Sequence, residues 1–211
     1  MRGNFLTTGS ISMTSGKAAR AICAALLGCA PAFAGAHDEG AFLALMRDFA
    51  LVRTSRVSYT EVKSLGILDS TILQSGILTY SAPATITREV REPSAETYEI
   101  VGDIMLLTTA DAEETINLDM LLPLRAFVEA FRATLSGDPN LLGEHYEIDF
   151  TSSEPVWHLS LLPRNRQLAN AIESISFLGR GTFIEAIRID EANGDWSQMT
   201  LTPLTEAGDA P

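Results

Sequence analysis

The stretch that most constrains the fold is residues 56–83, RVSYTEVKSLGILDSTILQSGILTYSAP. Large and small side chains alternate through it in two runs, which are separated by a connection near Asp69 and Ser70. A period of two residues is typical of a β-strand with one apolar and one polar side. The large side chains at alternate positions include Val57, Tyr59, Leu78 and Tyr80. The sequence therefore predicts two long neighbouring strands of one sheet.

The first 34 residues have the pattern of a secretory signal peptide. Arg2, Lys17 and Arg20 accompany the apolar run AICAALLGCAPAFA, and no acidic residue occurs among them. Such a basic and then apolar segment is removed after export, and the run is too short for a permanent membrane helix. We predict cleavage after Ala34, with Met1 or Met13 as the start, and hence a periplasmic protein.

An alternative processing route involves Cys29. The sequence Leu26-Leu27-Gly28-Cys29 has the outline of a lipoprotein processing site. Lipidation at Cys29 would anchor the protein to a membrane and replace a diffusing protein by a tethered one.

The processed chain is strongly acidic. All 27 Asp and Glu residues remain after cleavage, against 12 Lys and Arg, a formal charge of −15. This charge excludes nucleic acid as a partner and disfavours anionic membrane surfaces. Both cysteines, Cys23 and Cys29, lie in the signal segment, so no disulfide or thiolate chemistry is expected in the soluble form.

The rest of the chain predicts a single mainly β domain over residues 35–202, followed by a flexible tail over 203–211. Helical spacing of apolar residues predicts helices at 40–52 and 120–135, with a third short one at 165–172. Alternating segments predict further strands at 84–92, 98–101, 104–107, 115–118, 146–150, 156–162, 175–178, 183–189 and 197–201. Asn193-Gly194 is the strongest hairpin signal. About ten to eleven strands in consecutive hairpins indicate an antiparallel sheet that curls, with two or three helices on its concave apolar face.

Motifs of covalent chemistry are missing from the sequence. No nucleophile elbow, zinc-binding His pair or phosphate loop occurs. His37, His145 and His158 have no partner at catalytic spacing, and we interpret them as solvated. The acidic groups near Asp111 and Asp190 fit no calcium loop. We therefore expect no enzyme, no metal and no cofactor.

Several short patterns together resemble one family. These are a strand with aromatic residues that ends in Glu61, the Gly76-x-Leu78-x-Tyr80 strand that ends at Pro83, a tyrosine strand running into Gly102-Asp103, and Trp157-x-Leu159-x-Leu161 before Pro163. They resemble the LolA-like periplasmic carriers of outer-membrane lipoproteins. The resemblance runs over nearly all of the processed chain, and each of its patterns is loose.

The resemblance implies an unclosed β-barrel with a helical lid and an apolar cavity for acyl chains. The residues that it places at the cavity are Val57, Tyr59, Leu78, Tyr80, Leu121, Leu124, Phe127, Phe131, Trp157, Leu159 and Leu161. It further implies a monomer that receives lipoprotein acyl chains or other lipid cargo from an inner-membrane transporter or exporter and passes them to an outer-membrane acceptor. Ala82 stands where the family has a functional arginine, so the usual lipoprotein transfer is in doubt and another envelope lipid is an alternative cargo.

Two other classes remain open at this point. A small envelope enzyme that reuses the fold would have a compact polar pair in its groove, whereas a structural or interaction module would have a filled core. Four arginines could contact an anionic headgroup, although exposed ion pairs are the interpretation we favour. These are Arg88, Arg91, Arg125 and Arg132. We interpret Gly179-Arg180-Gly181 as a bend between strands.

Overall fold

The computed structural model describes residues 38–66 and 70–204. The predicted signal peptide, the alternative at Cys29 and residues 205–211 of the predicted tail lie outside these ranges. His37 and Asp69 also lie outside them. What the sequence predicts for these parts of the chain stays a prediction.

Eleven antiparallel strands form one sheet, which confirms the predicted fold class. Their order across the sheet is β6-β5-β4-β3-β2-β1-β11-β10-β9-β8-β7. The strands are β1 (Thr54–Ser64), β2 (Thr71–Ser81), β3 (Thr85–Glu92), β4 (Glu96–Val101), β5 (Ile104–Thr108), β6 (Glu113–Asn117), β7 (Tyr146–Ser153), β8 (Val156–Pro163), β9 (Ile172–Arg180), β10 (Phe183–Glu191) and β11 (Trp196–Pro203).

The turn between β10 and β11 shows why consecutive strands pair. Gly194 has a φ of +90°, a backbone conformation that residues with a side chain rarely adopt. Its N–H donates to the carbonyl of Glu191 at 3.0 Å. The Asn193 side chain accepts from the N–H of Asp195 at 2.9 Å. These contacts confirm the hairpin predicted from Asn-Gly.

The helices are α1 (Glu39–Phe49), α2 (Leu122–Leu135), α3 (Pro139–His145) and α4 (Arg166–Ala169), with a 3-10 turn over Leu118–Met120 before α2. Short polar side chains accept from free N–H groups at the first turns of α1, α3 and α4. These N-caps are Asp38, Asp138 and Asn165.

The boundaries of all three predicted helices differ from the prediction, and α1 ends at Phe49 and not at residue 52. The second helix begins at Leu122, because residues 118–120 form the 3-10 turn, and Met120 is 79% exposed. The predicted third helix is only one turn long, since Ile172 already belongs to β9. Helix α3 lies between residues 135 and 146, where the sequence predicts neither a helix nor a strand.

The strand order decides where α2 lies. Strands β6 and β7 are the two edges of the sheet, and no ladder joins them within the described residues. The chain from Leu118 to His145 connects these edges and contains α2 and α3. This connection brings α2 against the apolar face of the sheet, where Phe131 packs on Phe177 of β9.

Candidate functional site

One face of the sheet is apolar over most of its width and faces the helices. The register pairs Val57 with Leu78, Leu78 with Arg88 and Arg88 with Tyr98, which places these side chains on the same face of β1 to β4. Residues of both halves of the sheet join residues of α1 and α2 in one core cluster. The candidate site is this covered face.

Aromatic pairs connect the helices to the sheet. Phe42 of α1 lies 5.5 Å from Phe150 of β7, measured between ring centroids. Phe49 meets Trp157 of β8 edge to face at 5.9 Å. On α2, Phe131 lies 6.5 Å from Phe177 of β9. These geometries are favourable for aromatic side chains and fix the position of both helices on the sheet.

Small residues let α2 lie close to its neighbours. Ala126, Ala130 and Ala133 are all buried, and the Tyr146 hydroxyl at the start of β7 donates to the Ala126 carbonyl at 3.1 Å. Alanine has almost no side chain to keep the surfaces apart. The sequence analysis missed these alanines and Phe177, although the alternation within β9 contained the signal for Phe177.

A small cavity lies between α2 and the sheet. A cavity of about 20 Å³ remains, enough for roughly one water molecule. Its walls come from β1, β2, α2, β10, β11 and the turn before β10, and are formed by Ser55, Val57, Leu78, Tyr80, Phe131, Leu135, Thr182, Phe183, Ile184 and Leu201. In this conformation the helices fill the apolar face.

The predicted cavity residues fall into three groups. Eight belong to the buried core: Val57, Tyr59, Leu78, Tyr80, Phe131, Trp157, Leu159 and Leu161. Leu124 and Phe127 are half-buried against this core. Leu121 is 39% exposed and lies outside the cluster, because it precedes α2. Contact of any of them with lipid stays a prediction.

A polar cluster interrupts the apolar face around Arg88, which corrects the expectation of an exposed ion pair. The guanidinium donates to Glu61 at 2.5 Å, to the Tyr59 hydroxyl at 2.9 Å and to Gln74 at 2.9 Å. Glu61 is only 4% exposed, and the guanidinium carbon lies 5.0 Å from the centre of the Tyr59 ring. Burial and the hydrogen bond to Glu96 raise the pKa of nearby Tyr98 to about 12.

Arg132 corrects a second expectation, since the sequence places it away from the core. Its Nη1 donates to the Gly102 carbonyl at 2.7 Å, while its Nε and Nη2 are shielded from solvent. By contrast, Arg125 of the same helix pairs with Asp119 and with Glu129. Arg91 is exposed and lies 3.8 Å from Glu89, as predicted.

A more open cleft of about 170 Å³ lies beside the first half of α2. Its walls include Arg125, Glu129, His145 and Gln167. The two charged groups in it already neutralise each other, at 2.7 Å. Within the described ranges, no three His, Cys, Asp or Glu side chains are grouped as metal ligands.

The predicted bend at Gly179-Arg180-Gly181 is smaller than expected. Gly179 and Arg180 still belong to β9, and the turn begins at Gly181, which has φ of +54°. Gly181 accepts from the indole N–H of Trp157 at 2.7 Å.

A family model described as "Outer membrane lipoprotein carrier protein LolA-like" matches residues 32–210. The chain belongs to this LolA-like family. No match is found among curated proteins. Among the helices of the described residues, none has the length and apolar character needed to cross a membrane.

Solved structures with a similar fold share little sequence with this LolA-like chain. The LolA superfamily protein NE2245 from Nitrosomonas europaea is 10% identical, with a TM-score of 0.41 over 80% of this chain and 94% of its own. The Mycobacterium tuberculosis lipoprotein LppX is 12% identical, with a TM-score of 0.42 over 81% and 98%. MucB of Pseudomonas aeruginosa, solved with MucA, is 13% identical, with a TM-score of 0.44 over 81% of this chain and 59% of the other.

Proposed function

We propose that this protein is a periplasmic carrier that binds acyl chains of lipoproteins or of other envelope lipids and passes them towards the outer membrane. The observation that carries the proposal is the apolar face of the sheet. Helix α2, in the segment that connects the edge strands β6 and β7, covers part of this face. Membership of a carrier family supports it. The protein would perform no covalent chemistry.

Binding would occur by exchange of helix contacts for lipid contacts. The cavity of about 20 Å³ has no room for an acyl chain, so α1, α2 or both must move away from the sheet. Each CH2 group of the cargo that is buried contributes about 0.8 kcal/mol to the free energy of binding. The helix residues that move away lose apolar contacts with the sheet, which opposes binding. The two terms oppose each other, which would make loading reversible, as transfer between two membranes requires.

The partners follow from the same proposal. A donor in the inner membrane, either a transporter or an exporter, would load the carrier, and an acceptor at the outer membrane would unload it. Ala82 in place of the family's arginine favours a cargo or a transfer step that differs from the usual one.

A structural or interaction module with a filled core is the second candidate, because so little space remains beneath the helices. The two functions differ in whether the helices can be displaced. Native mass spectrometry with lipid extraction, on protein recovered from the periplasm of cells that make the full set of envelope lipids, separates them. Bound lipid is the expected result, and protein that is always empty would leave only the filled-core module.

A pair of variants locates the cargo. Phe127 lies half-buried on α2 against the core, and Leu73 of β2 is 62% exposed. Phe127→Glu should lower the amount of recovered lipid while the circular dichroism spectrum stays native. Leu73→Glu is the matched control and should carry as much lipid as the natural protein. Equal lipid in both variants would place the cargo elsewhere.

A further inference from the structure

Arg132 is a half-buried cation, and one edge of its guanidinium is shielded from solvent without a hydrogen-bond partner among the described residues. Its Nη1 bonds the Gly102 carbonyl in the turn between β4 and β5. Its Nε and Nη2 are buried, and no hydrogen-bond acceptor among the described residues reaches either atom. These two atoms form one side of the guanidinium fork, with their N–H bonds parallel. This side matches the two oxygens of a carboxylate or phosphate.

The position of Arg132 on α2 explains how it is shielded. Val128 and Leu135 lie four residues before it and three residues after it, so all three share a stripe of the helix, and both neighbours are buried. The side chain of Tyr80 on β2 lies close enough to the guanidinium to affect its pKa. Burial lowers the pKa of the guanidinium, as expected for a cation that has lost much of its solvent.

Among residues 38–66 and 70–204, no carboxylate forms an ion pair with Arg132. Asp103 and Glu129 lie near enough to raise the pKa, yet neither is within the 4.0 Å of an ion pair among the described residues. Glu129 is instead bonded to Arg125 at 2.7 Å. A charged group whose atoms are shielded from solvent without hydrogen bonds is destabilising, so the empty edge favours an anion that would complete it.

The cavity beneath α2 lies along the same part of the helix. Tyr80, Phe131 and Leu135 line it, and Phe131 and Leu135 flank Arg132 in the sequence. A headgroup at Arg132 would therefore sit at the edge of the surface on which an acyl chain would lie once α2 moves.

We propose that Arg132 binds the anionic headgroup of an acyl amphiphile through its Nε and Nη2 atoms. The chemical class is a carboxylate or phosphate joined to one or more acyl chains. This inference rests on the proposed carrier function and deepens it, because it assigns a charge to the cargo and a residue that selects it.

The experiment compares amphiphiles with the same chain and different headgroups. Protein purified from the periplasm and delipidated is titrated at pH 8 with palmitate, with palmitoyl lysophosphatidate and with uncharged monopalmitoylglycerol, and Trp157 emission is followed in a Trp196→Phe background. Inorganic phosphate alone is a further arm, read by thermal unfolding. We expect both anionic amphiphiles to bind at least about tenfold more tightly than the uncharged one, and phosphate alone to have no effect.

Arg132→Gln should remove this preference and leave binding of monopalmitoylglycerol unchanged. Arg125→Gln is the matched control on the same helix, and it should keep the preference because Arg125 already has two carboxylate partners. If Arg132→Gln does not fold, Arg132→Lys replaces it. Lysine keeps the charge without the two-atom edge, so the preference should fall there too.

Three results would overturn the inference. Equal binding of charged and uncharged amphiphiles by the natural protein refutes it and leaves the carrier function standing. Stabilisation by phosphate alone that Arg132→Gln abolishes would identify a site for a free anion. Absence of binding by every amphiphile would refute this inference and the carrier function together.

Discussion

At the scale of single residues, two side chains interrupt an otherwise apolar face. Glu61 and Arg88 lie on the same face of the sheet as Tyr59 and Leu78, and Arg88 meets Glu61 at 2.5 Å. A buried pair of this kind contributes little net stability, because desolvation of both charges offsets their attraction. Removal of one partner is different, since the other charge is left buried and unpaired.

We therefore expect Glu61→Leu to lower the free energy of unfolding by about 3 kcal/mol. The double variant Glu61→Leu with Arg88→Met should recover most of that loss, because no charge remains. Urea unfolding of the natural protein, both single variants and the double variant gives the coupling energy. Additive losses would show that the two side chains act independently.

Gly179 is required at its position by Trp157. A Cβ atom there would lie 2.2 Å from Cζ2 of the indole and 2.6 Å from the carbonyl oxygen of Phe183. The indole is held in place by Phe49 and by the Gly181 carbonyl, so it has little freedom to move.

Gly179→Ala should therefore cost about 1–3 kcal/mol of unfolding free energy through overpacking. Gly143→Ala is the control, because nothing lies within 4 Å of its added Cβ. This glycine is inside α3, so alanine should stabilise the helix by about 0.5–1 kcal/mol. Thermal unfolding measures both, and a melting point of Gly179→Ala equal to that of the natural protein would contradict the packing argument.

At the scale of elements, helices and strands are held by different forces. The strands are joined by ladders of backbone hydrogen bonds, whereas α1 and α2 contact the sheet through side chains such as Phe42, Phe49 and Phe131. Side-chain contacts with a helix can be replaced by contacts with an acyl chain, but a ladder cannot. We therefore expect the helices, and not the strands, to yield to a bound acyl chain.

Hydrogen exchange should show this difference. On addition of palmitate, we expect amides of α1 or α2 to change their exchange rates, with those of β1 and β11 at the centre of the sheet unchanged. Decanoate, at a concentration at which it does not bind, controls for the general effect of an added fatty acid on exchange. A uniform change over the whole chain, or none at all, would argue against helix displacement.

At the scale of the molecule, the first and last strands meet in the middle of the sheet. Strand β1 pairs with β11, so β11 joins the half built from β1 to β6 to the half built from β7 to β10. The interior is shared by both halves and by α1 and α2. Cooperative folding therefore depends on a segment close to the carboxyl end of the chain.

Truncation tests this dependence. A chain that ends after residue 195 lacks β11 and should lose its cooperative thermal transition. A chain that ends after Leu204 lacks only residues 205–211, and its melting temperature should match that of the natural protein. A clear cooperative transition without β11 would show that the two halves fold separately.

Local patterns determined much of the fold. The alternation in residues 56–83, the Asn-Gly hairpin and the helical spacing of α1 and α2 each follow from the geometry of one short segment, and the structure confirms them. The resemblance in four short patterns also identified the family. The ends of the helices were less certain, because the 3-10 turn before α2 and the early start of β9 depend on neighbouring elements.

The sequence by itself thus determined the elements, the antiparallel class and the family, because periodicity and turn chemistry act over a few residues. Only the tertiary structure decided which polar side chains are enclosed. Arg88 and Arg132 are interpreted from the sequence as exposed ion-pair partners, yet strand register places Arg88 beside the buried Glu61, and the Nε and Nη2 atoms of Arg132 are shielded from solvent. The same packing leaves a cavity of about 20 Å³ between α2 and the sheet. The alternation puts Arg88 on the same side of its strand as Ile86 and Val90, but whether that side is covered depends on elements that are distant in sequence.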